Sequence, residues 1–166
     1  FAAGKTISFI SNELGTGNPV IRVMPNTPTM VGAGMAAASM GAGVTAAHKQ
    51  FVLGFLEATG KVIEVIEDLQ DAVTATSGSG PAYFFAFVEA MVAGAKKLGL
   101  SEADATTLTV QTIVGAAKLL DESGKSATTL RENVTSPNGT TAAALASLAS
   151  NDLNSMVAAA MKAASD

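Results

Sequence analysis

The chain has 166 residues, 48% of them hydrophobic and 14% charged, with a formal net charge of −4; this is too apolar for disorder and enough for one large domain or two small ones. No basic run or arginine cluster occurs, which argues against a nucleic-acid ligand. The absence of cysteine removes disulfides, thiol catalysis and Cys-ligated zinc, and the single histidine, His48, argues against a His-based metal site or triad.

The mean hydropathy is +0.36, but the apolar residues are mostly Ala and Val in runs broken by Gly, Pro or charge. No stretch of about 20 residues reads as a membrane span. The apolar run 82–98 carries Glu89, Lys96 and Lys97. It reads instead as a helix buried on most sides, in part against a partner chain. The cysteine-free composition fits a reducing cytosol, so a cytoplasmic protein is expected. The opening Phe1-Ala2-Ala3-Gly4 has no charged leader and runs at once into a strand-like segment. It reads as the start of a piece whose upstream portion is absent.

In chain order, residues 5–10 and 19–24 are short β-rich runs, and 35–40 is a small-residue run that reads as a further strand. Residues 48–59 have helical spacing with Phe51, Phe55 and Leu56 on one face, and 61–66 alternate as a strand. Strand, strand, strand, helix, strand is the grammar of an α/β sheet. Arg22 lies inside an apolar strand and needs a partner or an edge position. Beyond Asp68 no strand pattern follows. Residues 79–98 read as a helix with Pro81 in its first turn and Gly99 at its end. Ser101, Glu102 and Asp104 read as an N-cap with an acidic first turn. That helix runs to about Glu122, with Leu108, Ile113, Ala116, Ala117 and Leu120 spaced for burial, and Gly124 stops it. A short helix at 127–134, a turn at 135–139 and an Ala-rich helical stretch at 140–164, split near Asn151-Asp152, complete the chain. Helices so rich in Ala and Gly bury little area per residue, and this set needs a second copy to complete its core.

Three segments could carry chemistry. Residues 71–83 place Thr74, Thr76, Ser77, Gly78, Ser79 and Gly80 before the long apolar helix. A Gly-rich turn feeding a helix start offers free N–H groups, but from spacing alone capping and a tight turn are the better explanation of the segment. In residues 135–141, Pro137 holds Ser136 extended, and Asn138 and Gly139 can both take positive φ. Helix follows at once, so the N–H groups of Gly139, Thr140 and Thr141, with the Ser136, Thr140 and Thr141 hydroxyls, form a cradle suited to a carboxylate. An ordinary helix-start turn is the alternative. Residues 23–28 end a strand in Asn26-Thr27 between two prolines, where open α/β sheets bind ligands, or where a rigid loop leaves the sheet. Glu64, Glu67, Asp68 and Asp71 have mixed spacing and read as solvated capping groups, not as a metal site.

The run Asp71-Ala72-Val73-Thr74 into Ser77-Gly78-Ser79-Gly80-Pro81-Ala82-Tyr83 resembles the central signature of the pyrroline-5-carboxylate reductases. Ser136-Pro137-Asn138-Gly139-Thr140-Thr141, about 60 residues on, resembles their second signature, and Val23-Met24-Pro25-Asn26-Thr27-Pro28 and Gly115-Ala116-Ala117-Lys118 fit as well. The resemblance covers the whole chain. It implies an α/β part followed by an all-α part: residues 1–67 as the C-terminal remnant of a Rossmann-type NAD(P)-binding domain, and 68–166 as a helical dimerisation and substrate-binding domain. The family's glycine-rich dinucleotide loop is lacking.

By the same resemblance, the activity is hydride transfer from NADPH or NADH to 1-pyrroline-5-carboxylate, giving L-proline. Thr74 matches a hydroxyl that hydrogen-bonds the ring nitrogen and favours the iminium. Ser136, Gly139, Thr140 and Thr141 match the substrate-carboxylate loop, and Glu67 matches a position in the substrate region. Phe1, Ala2, Ala3, Asn26, Thr27 and Asn133 match positions near the cofactor. The implied assembly is a homodimer whose sites use both chains, in some members a ring of dimers. Asn138 departs from the family, which has glycine there. The alternatives are an inert piece acting only as a dimerisation module, or a β-hydroxyacid-type dehydrogenase. The latter relies on a catalytic Lys that this chain lacks between Lys61 and Lys96.

Overall fold

The computed structural model describes residues 4–165. They form two compact units, 4–83 with 160–165, and Phe84–Ala159.

The first unit is built on three strands in the order β1 (Ile21–Met24), β2 (Gly34–Met40), β3 (Gly60–Glu64). β1 runs antiparallel to β2, pairing Ile21 with Met40, and β3 runs parallel to β2, pairing Gly34 with Gly60. The parallel pair needs a crossover, and α2 (Ala46–Glu57) supplies it. β2 is central and made almost wholly of small residues. Ala36, Ala37, Ala38 and Ser39 are buried, and with Val20 and Ala75 they are the core of this unit.

Residues 5–10 form no strand. Thr6 caps a helix, α1 (Ile7–Leu14), by accepting from Phe9 N, and Gly15 at φ 60 ends it by donating to Ser11 O. The Ile-Ser-Phe-Ile alternation fits both periods, and the two caps decide between them. α2 is helical as expected, but Phe51 and Phe55 stand 77% and 70% exposed. The face turned inward carries Lys49, Val52, Leu53 and Leu56 instead. Arg22 finds the partner it needs: Nη1 lies 3.3 Å from Glu67 Oε1 and Nη2 3.9 Å from Asp71 Oδ1.

From Glu67 onward the chain is helical: a 3-10 turn (Glu67–Leu69), α3 (Gln70–Val73), a π-helical turn (Thr74–Gly78) and α4 (Gly80–Lys97). Gly99 closes α4 at φ 101, and Ser101 caps α5 (Glu102–Glu122) by accepting from Asp104 N. Lys96 pairs with Glu102 at 2.8 Å and holds that carboxyl below its ordinary range. α6 (Ala127–Asn133), α7 (Thr140–Ser150) and α8 (Leu153–Ser165) follow, with the break at Asn151-Asp152, where Asp152 takes φ 53.

The expected burial along α5 is absent within this chain. Leu108 and Leu120 are 56% and 46% exposed, Ala116 and Ala117 are exposed, and only Ile113 is half-buried. Ala105 and Thr109 are the buried positions of α5. Small side chains reach too little neighbouring surface to cover each other.

Gly60 lies at φ 153, and a Cβ there would fall on the backbone of Gly34. Gly60→Ala is therefore expected to cost about 1–3 kcal/mol, the usual price of overpacking. Chemical denaturation measures it, and an unchanged midpoint would contradict the close pairing of β2 with β3.

Candidate functional site

The first constellation lies where the π-helical turn meets the end of β1. Ser79 N donates to Thr74 O, five residues back, at 2.8 Å. The widened turn leaves carbonyls without their regular donors. Side chains serve two of them: Tyr83 OH donates to Ala75 O at 3.1 Å, and Asn26 Nδ2 donates to Ser77 O at 3.2 Å. Asn26 Oδ1 also accepts from Met35 N at 2.8 Å. Gly78 permits the approach, because a Cβ there would strike Met24 Cε. Residues 23–28 and 74–83, separate motifs in the sequence, are thus one structural unit.

The free N–H groups expected from a helix start at 78–83 are not there, since the helical run continues through this segment from Glu67. The hydroxyl of Thr74 opens the widened turn. Its Oγ1 donates to Gln70 O at 2.8 Å, and a carbonyl can only accept. The Thr74 hydrogen is therefore committed, and its oxygen presents lone pairs alone.

Gln70 is fully buried. Its Nε2 donates to Ser39 Oγ at 2.8 Å and Ala37 O at 3.4 Å, and Ser39 Oγ donates to Val65 O. Thr74 is thereby tied to the central strand through the residue four positions before it. Glu67 is bound into the same region: Oε1 accepts from Ile7 N, the first amide of α1, at 2.7 Å and from Arg22. A carboxylate at a helix start is favourable there, and sequence reasoning missed this use of Glu67.

The second constellation, in the other unit, is the loop before α7. Gly139 N donates to Ser136 O at 3.0 Å, with Pro137 and Asn138 between them and Asn138 at φ 58. Proline second and a positive φ third define a type II turn. Two expectations change. Gly139 has φ −80 and ψ 170, so only Asn138 takes positive φ. The Gly139 N–H is used inside the turn and is not a free donor. A Cβ at 139 would displace Ser136 Oγ and stand 3.1 Å from Ser136 O, so glycine suits the tight turn. No side chain caps α7, and the first bond into it is Ala143 N to Gly139 O. The N–H groups of Thr140, Thr141 and Ala142 therefore lead the helix, with Thr141 and Ala142 half-buried.

The remaining expected positions are scattered. Thr27 is exposed at the start of the 3-10 turn Thr27–Val31, and Asn133 is exposed at the end of α6. Phe1, Ala2 and Ala3 lie outside the described residues. A surface groove of about 540 Å³, lined among others by Arg131, Thr135, Leu145, Leu148 and Asp152, lies on α6, α7 and the start of α8. Among the described residues, no group of three His, Cys, Asp or Glu could hold a metal ion.

A dinucleotide needs a glycine-rich turn whose helix start takes the pyrophosphate. No Gly-x-Gly-x-x-Gly run occurs in the sequence. The looser run Gly41-Ala42-Gly43-Val44-Thr45-Ala46 does pass from β2 into α2, but Thr45 and His48 close that helix start with a capping box. Among the described residues, that helix start is therefore not open to a pyrophosphate.

Residues 67–166 match the family model described as pyrroline-5-carboxylate reductase dimerisation. The chain belongs to the pyrroline-5-carboxylate reductase family. It is 43% identical to the pyrroline-5-carboxylate reductase of Mycobacterium leprae, across 98% of this chain and 61% of that protein. The reductase of Coxiella burnetii superposes with a TM-score of 0.92 at 39% identity, covering 96% of this chain and 60% of that one. The Plasmodium falciparum reductase, solved with NADP bound, superposes at 0.90 with 34% identity, covering 98% of this chain and 65% of that one. The chain thus spans about three fifths of the length of these relatives.

Asn138 keeps the turn that glycine would allow, since Asn tolerates the left-handed region. Asn138→Gly is expected to leave stability unchanged, whereas Asn138→Val costs about 1–2 kcal/mol. Thermal unfolding reads the difference, and a Val variant as stable as the parent would contradict the turn.

Proposed function

We propose that this chain is the substrate-binding and dimerising part of a pyrroline-5-carboxylate reductase, which reduces 1-pyrroline-5-carboxylate to L-proline with hydride from NADPH or NADH, the last step of proline biosynthesis. In this reading, residues 1–67 are the remnant of a Rossmann-type domain and 68–166 the helical dimerisation and substrate domain. The grip on the dinucleotide phosphates lies in sequence that this chain does not span. This chain by itself is then inactive.

The observation that carries the reading is the uncapped start of α7 behind a rigid turn. Adjacent N–H groups at the positive end of a helix suit one carboxylate. The amides of Thr140 and Thr141 receive the substrate carboxylate, with hydroxyls from Ser136, Thr140 and Thr141 beside them. Gly139 contributes by allowing the turn to close against Ser136.

Thr74 has a separate role, towards the ring nitrogen. Its hydrogen is donated to Gln70 O, so its oxygen suits a donor, and the N–H of a protonated imine is one. The iminium is also the form that accepts hydride. No proton then has to come from Thr74: the nitrogen keeps its hydrogen and becomes the amine. Glu67 supports this region through Arg22 and α1, and the substrate-region role is assigned to its second carboxylate oxygen. Asn26, Thr27 and Asn133, with Phe1, Ala2 and Ala3, are assigned to the cofactor's side, Asn26 through the one amide hydrogen that its two bonds leave over.

A homodimer is favoured by the second unit itself. Phe84, Phe85, Phe87 and Met91 of α4 and Leu108, Val110, Val114, Leu119 and Leu120 of α5 are exposed, while Ala105 is its buried apolar residue. A helical set with that surface needs a second copy. A ring of dimers extends the same proposal. No helix among the described residues is long and apolar enough to cross a membrane. The cysteine-free sequence suits a cytoplasmic protein.

The same exposed faces favour a second reading, a dimerisation module without ligand. Titration of this chain with L-proline, followed by amide NMR, separates the two. Shifts centred on Thr140, Thr141 and Ala142, with an affinity about tenfold weaker in Thr141→Ala, are expected. Proline-induced shifts confined to other segments, or none at all, would leave only the module.

A further inference from the structure

Asn26 occupies the N-cap position of the turn Thr27–Val31, yet its side chain caps nothing there. Asn at such a place normally bonds its own helix start. Here the amide reaches away, accepting from Met35 N with Oδ1 and donating to Ser77 O with Nδ2. The two partners fix its orientation, because Met35 N–H can only donate and Ser77 O can only accept.

Ser77 O has a particular need for this donor. In an unbroken α-helix it would receive the N–H of residue 81, four positions on. Residue 81 is proline and has none. Asn26 supplies from outside the helix what Pro81 withholds from within it. Gly78 lets β1 come close enough, with Met24 Cε against it. Tyr83 OH donates to Ala75 O, whose regular donor, the Ser79 N–H, is spent on Thr74 O. The turn is thus kept wide by side chains, and its first residue is Thr74, whose carbonyl takes the Ser79 N–H at 2.8 Å.

We infer that Asn26 is a positioning residue for Thr74: its amide holds the 74–78 turn open and thereby sets the direction in which the Thr74 lone pairs point. The inference rests on the ring-nitrogen role proposed for Thr74. Loss of the Asn26 donor leaves Ser77 O, in a half-buried segment, without a partner. The turn then relaxes toward another hydrogen-bond register, and the peptide plane of Thr74 turns with it.

The test uses this chain with Asn26→Asp, which keeps the acceptor for Met35 and removes the donor to Ser77, and with Asn26→Ala. Amide hydrogen exchange is read over residues 75–82. Binding of L-proline is compared with that of cyclopentanecarboxylate, which has the carboxylate but no ring nitrogen. In both variants, exchange across 75–82 is expected to rise about tenfold. The preference for proline over cyclopentanecarboxylate should fall to that of Thr74→Val, with cyclopentanecarboxylate affinity retained. Adding Pro81→Ala to Asn26→Ala returns an N–H at position 81 and is expected to restore protection, or folding if Asn26→Ala alone fails to fold. Unchanged exchange, an unchanged preference or no restoration would overturn the inference. If the parent chain binds neither ligand, the reading of Thr74 fails by itself, and hydrogen exchange still decides whether Asn26 holds the turn.

Discussion

Pro81 has no N–H, and much of the first unit is arranged around that absence. A helix that crosses a proline loses a donor, and a carbonyl shut away from water without a partner costs about 1–3 kcal/mol. Asn26 meets this from outside the helix by donating to Ser77 O, while the widened turn sends the Ser79 N–H to Thr74 O and Tyr83 OH serves Ala75 O in its place. Each substitute requires further features. Asn26 must be held at the end of β1, which the flanking Pro25 and Pro28 help to do, and the Met24 methyl packs where a Cβ on Gly78 would stand. Thr74 stands at the start of this arrangement, anchored from behind by Gln70, itself locked to the alanine strand β2.

The second unit treats unpaired backbone groups in the opposite way. At the start of α7, the type II turn uses the Gly139 N–H within itself and leaves the following amides uncapped. Donors aligned at a helix start form an anion site when nothing in the chain competes for them. The contrast supports separate roles for the two motifs: carbonyls closed off to hold one hydroxyl in place, and amides left open to meet a charge. Small residues serve both, since Gly78 and Gly139 each stand where a Cβ would collide. Along α4 and α5, small side chains leave Phe84, Phe85 and Leu108 uncovered, which is the physical basis for the proposed dimer.

Much of this was legible in the sequence. The caps at Ser101 and Gly99, the break at Asn151-Asp152, the partner required by Arg22 and the positive φ of Asn138 follow from local rules that hold wherever the chain goes. Other features depended on contacts far along the chain. Residues 5–10 satisfy both strand and helix periods, and only the pairing of Thr6 with Gly15 as caps separates them. The exposure of Phe51 and Phe55 follows from which face of α2 meets the sheet. The helical run through Ser77-Gly78-Ser79-Gly80 was hidden because the donor to Ser77 O comes from Asn26, some fifty positions upstream. Gly139 was read as a positive-φ position and a free donor, but it is extended and its N–H closes the turn onto Ser136 O, a bond that depends on the loop's three-dimensional course.

The central claim is that the amides opening α7 hold the carboxylate of the substrate. A crystal structure of the protein with L-proline bound tests it most directly. The account predicts both carboxylate oxygens within hydrogen-bonding distance, about 2.7–3.1 Å, of the backbone nitrogens at positions 140–142. Proline bound elsewhere, with those nitrogens facing only water, would contradict it.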